Sequence, residues 1–234
     1  MQPIPEDWDR AVAVVAHPDD LEYGVASAVA RWTGQGKDIT YVLATSGEAG
    51  IDGMEPAEAG PLRDEEERRS AAVVGVSRVD FLGHPDGAVE YGVALRRDLA
   101  AAFRGLRPDI VITANFDLTW GEGGAVNHAD HRAVGLAVLD ACRDAANRWF
   151  SPELGEPWQG IGAAYVAASN PPTHYVDVGD TLALGVASLQ EHRAYIEGLG
   201  REFDPEEFLT NMAGFGGMAA GCDFAVLFQK FALG

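Results

Sequence analysis

The chain has 234 residues, 47% of them hydrophobic and 23% charged, a balance that suits one α/β domain with a substantial core. Seventeen basic side chains against 36 acidic ones leave a net charge of −19, which disfavours binding to nucleic acid or to anionic membrane surfaces. Two cysteines, Cys142 and Cys222, are too few for a disulfide scaffold and are expected to be reduced and buried.

Residues 11–16 form a continuously apolar, Val-rich run, the pattern of a parallel strand covered on both faces. It ends at His17, Pro18, Asp19 and Asp20, and an Ala-rich amphipathic stretch over 21–32 follows as a helix that stops near Gly34 and Gly36. Residues 39–44 are a second strand, closed by the loop 45–50. Residues 61–74 read as a helix, with Glu65, Glu66 and Glu67 assigned to its solvated face. Residues 79–82 make a third strand, closed by His84, Pro85, Asp86 and Gly87. A helix over 93–106, a fourth strand over 109–113 and a Gly-rich loop over 120–127 lead into another helix. Further strands are expected at 161–168 and 174–178, and a helix at 181–199. The Gly-rich tail at 214–217 reads as a loop or a bulged strand.

Strands alternating with helices at this pitch predict an α/β fold, a Rossmann-like, mostly parallel doubly wound sheet with helices on both faces, in a single domain over 1–234. The first residues lack the basic and apolar regions of a secretory leader, and no apolar run approaches the roughly 18–20 residues that span a bilayer. A cytoplasmic protein is the expectation.

Ligands of such sheets bind beyond the carboxyl ends of the strands. There, His17 and Asp20 stand three residues apart where the first strand gives way to a helix, and His131 follows from the opening turn of a later helix. Two imidazoles and a carboxylate suit a zinc ion with three protein ligands and an open position. Asp19 is then placed to act as general base towards water. His128, three residues before His131, is positioned to stabilise an oxyanion as an imidazolium, with Asp130 holding its tautomer or raising its pKa. Blander roles exist for the same residues. Asp19 or Asp20 can cap a helix, and Asp130 can serve a helix dipole. Phe116, Trp120 and Trp158 lie in loops that either line a pocket or pack ordinarily. A nucleotide-binding module would carry Gly-x-Gly-x-x-Gly after the first strand, where this chain has His17-Pro18-Asp19-Asp20.

The stretch Ala16-His17-Pro18-Asp19-Asp20-Leu21-Glu22-Tyr23-Gly24 resembles the opening motif of the LmbE-like, or PIG-L, family of N-deacetylases. Asn127-His128-Ala129-Asp130-His131 is similar to that family's second motif, with Ala129 where proline is usual and Val126 where some members carry a tyrosine. The loop 45–50, the Arg63 helix and the His84-Pro85-Asp86 turn are similar as well. The resemblance implies one zinc per chain on His17, Asp20 and His131, with iron accepted by the same ligands. It further implies Asp19 as base, His128 as partner of the oxyanion, and Arg63 and Asp86 holding sugar hydroxyls. The implied reaction is removal of an N-acetyl group from a small-molecule amino sugar of the N-acetylglucosamine type. The alternative is an amidase acting on another N-acyl or thiol conjugate. Family members commonly assemble, which leaves a homo-oligomer open.

Overall fold

The apolar run at 11–16 becomes β2 (Arg10–Val15), whose side chains divide between two cores. Ala11, Ala13 and Val15 pack into one and Val12, Val14 and the following Ala16 into the other, the two-residue period of a strand buried on both faces. Around it the computed structural model, which describes residues 1–120 and 124–233, lays an eight-stranded sheet. The other strands are β1 (Gln2–Pro3), β3 (Asp38–Leu43), β4 (Arg78–Phe81), β5 (Ile110–Thr113), β6 (Ala163–Ala167), β7 (His174–Asp177) and β8 (Ala225–Ala232). Their order is β1-β7-β8-β6-β5-β2-β3-β4. Among the described residues β8 alone runs against its neighbours, and the remaining pairings are parallel.

The helices are α1 (Ala26–Gly34), α2 (Pro56–Val73), α3 (Val93–Leu106), α4 (Ala129–Ala146), α5 (Leu182–Leu189), α6 (Arg193–Gly198) and α7 (Pro205–Ala220). Side chains of α1, α2 and α7 fill one core and those of α3 and α4 the other, so both faces of the sheet are covered. From β2 the chain moves outward to β3 and β4, then crosses back to lay β5 on the other side of β2. The loops leaving β2 and β5 therefore diverge, and the crevice between them is the switch point at which ligands of doubly wound sheets bind.

Several expectations need correction. Residues 18–25 form turns and α1 begins only at Ala26, because Asp19 takes φ +89° and Asp20 turns its carboxylate back onto the chain behind it. The second helix begins earlier than expected, with Pro56 in its first turn, where a missing N–H costs nothing. Of the three glutamates assigned to a solvated face of α2, Glu65 is exposed but Glu66 and Glu67 are buried, at 2% and 0% exposure. The helix expected over 181–199 breaks into α5 and α6, with His192 at the break turned into the interior. The Gly-rich tail is neither loop nor bulged strand but part of α7. A Cβ on Gly216 would stand 2.1 Å from the Ala225 carbonyl oxygen and one on Gly217 2.3 Å from that of Asp223, so glycine lets this helix lie against β8 and its approach. Strands β1 and β8 are additions to the predicted set. Of the Gly-rich loop at 120–127, residues 121–123 lie outside the described residues, and Thr119 and Val126 pair across it. Both cysteines are free, Cys142 buried and Cys222 only partly so. No helix among the described residues is long and apolar enough to cross a membrane.

Candidate active site

The two predicted clusters meet at the switch point. His17 leaves the end of β2 and His131 sits in the first turn of α4, 114 residues later, yet His17 Nδ1 and His131 Nε2 are 3.2 Å apart. Asp20 Oδ1 lies 2.9 Å from His131 Nε2, and Asp20 Oδ2 3.5 Å from His17 Nδ1. Ligand atoms of all three residues fall within 4.8 Å of one another. Asp20 Oδ2 also accepts the N–H groups of Ala16 and His17, which ties the carboxylate to the strand end instead of capping α1. Burial works against an ionised Asp20, but His131 and His17 hold it well below the usual carboxylate range.

The outward nitrogens of the two imidazoles are both committed. His131 Nδ1 lies 2.9 Å from Asn127 Oδ1, an oxygen that can only accept, so the proton belongs on Nδ1. Asn127 is fixed in turn: its amide donates to the carbonyls of Asn115 and Asp117, and it is buried. His17 Nε2 lies 3.0 Å from Asp86 Oδ1 and 3.2 Å from Asp130 Oδ2. With those protons placed, Nδ1 of His17 and Nε2 of His131 present lone pairs to each other and to a carboxylate. That arrangement requires a positive charge between them, and the donor set suits a divalent metal oriented by outer carboxylate and amide partners. Without a metal a proton takes the same place: burial opposes it, but Asp20, Asp130 and Asp86 push His17 up to about 12.

Asp19 is buried beside this cluster. Its carboxylate accepts from Arg63 Nη2 at 3.1 Å, and its N–H donates to Glu67 Oε2 at 3.1 Å. Burial pushes Asp19 up to about 7, with Arg63 opposing and the Asp20 charge adding to the rise. His128 is exposed, its ring 5.0 Å from His17 and 5.4 Å from His131.

Four assigned roles change. The oxygens of Asp130 accept from Gly87 and Val89 and face His17, so it orients that imidazole; towards His128 its charge acts only to raise the pKa. Even so, His128 is not raised towards an imidazolium; partial burial and then the neighbouring His17 and His131 hold it below the ordinary imidazole range. Arg63, expected against sugar hydroxyls, is only 2% exposed and donates to Gly47 O, Pro18 O and Asp19, with Tyr195 stacked 4.4 Å away. A Cβ on Gly47 would collide with its guanidinium, which is why that loop runs through glycine. Asp86 is likewise turned inward, taking the Ala49 N–H on Oδ2 and His17 on Oδ1. Of the loop aromatics, Trp120 lies 5.7 Å from the His131 ring. Trp158 instead packs at the far end of the strands, bonded to Pro108 O and beside Arg10, and Phe116 packs against Gly135.

Sequence reasoning passed over Asn127, Glu67 and His192. Glu67 had a readable signal: Arg63, Glu67 and Ser70 follow at helical spacing and share the buried face of α2.

A model of the PIG-L family, GlcNAc-PI de-N-acetylase, matches residues 12–142, a stretch that holds His17, Asp20 and His131. The diacetylchitobiose deacetylase of Thermococcus kodakarensis is 27% identical over 225 residues, 94% of this chain and 82% of that protein. The 1D-myo-inositol 2-acetamido-2-deoxy-alpha-D-glucopyranoside deacetylase 2 of Saccharopolyspora erythraea is 33% identical over 171 residues, which span 62% of this chain and 60% of that relative's length. In three dimensions the N,N'-diacetylchitobiose deacetylase from Pyrococcus horikoshii superimposes with a TM-score of 0.86, covering 97% of this chain and 85% of that one at 24% identity, a likeness of fold. With more than half of its length matched by that model, the chain belongs to the PIG-L, or LmbE-like, family.

Proposed function

We propose that this protein is a zinc-dependent deacetylase that hydrolyses the N-acetyl group of a small amino sugar of the N-acetylglucosamine type. The observation that carries the reading is the convergence of His17, Asp20 and His131 within 4.8 Å, with a buried carboxylate, Asp19, alongside. The names of the relatives support the substrate class.

His17 Nδ1, an oxygen of Asp20 and His131 Nε2 would hold the metal, which when bound lowers the pKa of water and polarises an amide carbonyl. Asp19 accepts the proton of the attacking water; a carboxyl displaced upward by burial is matched to that task near neutral pH. Arg63 keeps its carboxylate in place. His128, neutral in its resting state, offers an N–H to the oxygen that gains negative charge. The departing amine needs a proton, which Asp19 then carries to it. His17 and His131 keep their orientation through Asp86, Asp130 and Asn127.

A second reading, an amidase acting on a substrate with an apolar substituent, draws on one observation. A cavity of about 400 Å³ lined by Tyr23, Trp120, Leu209, Met212 and Phe215 opens beside the site.

An amine-release assay across N-acetylated sugars, their alkyl glycosides and thiol conjugates, run with zinc-loaded protein and metal analysis, tests both readings. Release from N-acetylglucosamine glycosides, absent in Asp19→Ala protein that retains its metal, is expected. His131→Ala should lose the metal. Full activity in Asp19→Ala, or turnover confined to apolar N-acyl conjugates, would overturn the first reading.

A further inference from the structure

Behind the metal ligands lies a buried group of side chains that no step above uses. Glu22, Glu67 and His192 are all at 1% exposure or less. His192 Nε2 stands 3.6 Å from an oxygen of each carboxylate. The other Glu22 oxygen accepts from Ser70, which also meets Ser188. An imidazole between two carboxylates at this distance supplies a cation itself and neutralises charge that the core would otherwise leave unpaired.

One atom of this group reaches the site. Glu67 Oε2 accepts the main-chain N–H of Asp19, 48 residues away in sequence. Asp19 has φ +89°, in the left-handed region where a Cβ crowds the backbone and which residues other than glycine rarely take. Three holds oppose its relaxation: Glu67 on the N–H, Arg63 on the carboxylate, and the N–H groups of Glu22 and Tyr23 on the carbonyl. The peptide between Pro18 and Asp19 is gripped at both ends, its carbonyl by Arg63 Nη2 at 2.6 Å and its N–H by Glu67. Without Glu67 a buried N–H is left unpaired, and the peptide keeps only its Arg63 hold against rotation back to ordinary φ. Such rotation would swing the Asp19 carboxylate away from the position at which it faces water.

We infer that Glu67, buried with His192 Nε2 3.6 Å from its carboxyl, is a positioning residue that locks the Asp19 main chain in its left-handed conformation and so fixes the general base. The inference rests on the reading of Asp19 as base. It differs from a general structural role because its effect passes through one peptide group.

Glu67→Leu, which removes the acceptor at similar volume, and Glu67→Gln, which keeps a carbonyl oxygen in reach, are compared with the parent as zinc-loaded full-length proteins. Four quantities are measured: kcat, KM, zinc content and hydrogen exchange of the Asp19 amide. For Glu67→Leu, kcat should fall about 100-fold with KM and zinc content near those of the parent, and the Asp19 amide, which should exchange slowly in the parent, should open. Glu67→Gln should keep that amide protected and recover most of the rate. Combined with Asp19→Ala, Glu67→Leu should cause no further loss. A folded Glu67→Leu protein with a protected Asp19 amide, with parental kcat or with lost zinc would overturn the inference. If Glu67→Leu fails to fold, Glu67→Gln decides, and an open amide or a rate as low as that of Asp19→Ala overturns it. Should the parent release no amine from any substrate, the deacetylase reading falls, while the exchange measurement still judges the hold of Glu67 on Asp19.

Discussion

Two ring nitrogens facing each other at 3.2 Å, with a carboxylate oxygen 2.9 Å from one of them, form a site that repels itself unless a cation joins it. The same economy of position governs Asp19, whose backbone sits where a side chain is crowded. A substitution there separates chemistry from strain. Asp19→Gly and Asp19→Ala both lack the carboxylate, but only glycine takes φ +89° without penalty. The metal-free Gly variant should be more stable than the Ala variant by about 1 kcal/mol in denaturant unfolding. Equal midpoints would show that the left-handed conformation is absent from the solution state. At this scale the candidate ligands were legible, because the residue types and strand-end positions of His17, Asp20 and His131 suit a divalent metal. The partners were not. Asn127, Asp86 and Asp130 act on imidazoles that approach them only in the folded chain, so their roles follow from contact and not from local pattern.

Elements place these residues by the faces they bury. Helix α2 reads as highly charged, yet it turns Arg63, Glu66, Glu67 and Ser70 inward, with Glu66 accepting the Ala194 N–H at the start of α6. Charge patterning misleads here because buried carboxylates with partners look the same in sequence as solvated ones. The tail misleads for a related reason. Glycines argued against a helix by propensity, but α7 uses them to bring its backbone close to the chain entering β8. Gly216→Ala should therefore destabilise the protein although alanine is the better helix former. A methyl group would meet the Ala225 carbonyl at 2.1 Å, and the backbone, not a flexible side chain, must yield. A loss of about 1–3 kcal/mol in denaturant unfolding is expected. A gain in stability would mean that α7 does not pack on β8 as described.

Across the whole molecule, the acidic balance and the proton-loving site set how stability responds to metal and pH. His17 binds its proton more tightly folded than unfolded: burial opposes it, but Asp20, Asp130 and Asp86 push it up to about 12. Asp19, pushed up to about 7 by burial, does the same. For each, the linked stability is complete below the unfolded value, 6.5 for the imidazole and 3.8 for the carboxyl, and is lost as pH rises towards the folded one. Metal-stripped protein should therefore show a falling Tm from about pH 6.5 to about pH 9, with the Asp19 contribution already fading below pH 7. A bound divalent ion replaces the proton between the ligands, so zinc-loaded protein should show a flatter profile. At 100 times its Kd, zinc adds about 2.7 kcal/mol, roughly 5–10 °C in Tm for a chain of this size. Calorimetry with and without chelator checks this, and a zinc-independent Tm would count against a metal centre.

What the sequence by itself determined was the α/β alternation, the strand-end placement of polar residues and the choice of His17, Asp20 and His131 as candidate ligands. Periodicity and residue chemistry are local properties and survive without the fold. What only the tertiary structure decided was the crossover from β4 back to β5, which brings His17 after β2 and His131 in the first turn of α4 together across 114 residues. It also decided the inward turn of Arg63, Asp86, Glu67 and His192 that orients them. Those outcomes depend on which faces are buried against each other, a long-range choice made by the packing of the whole sheet.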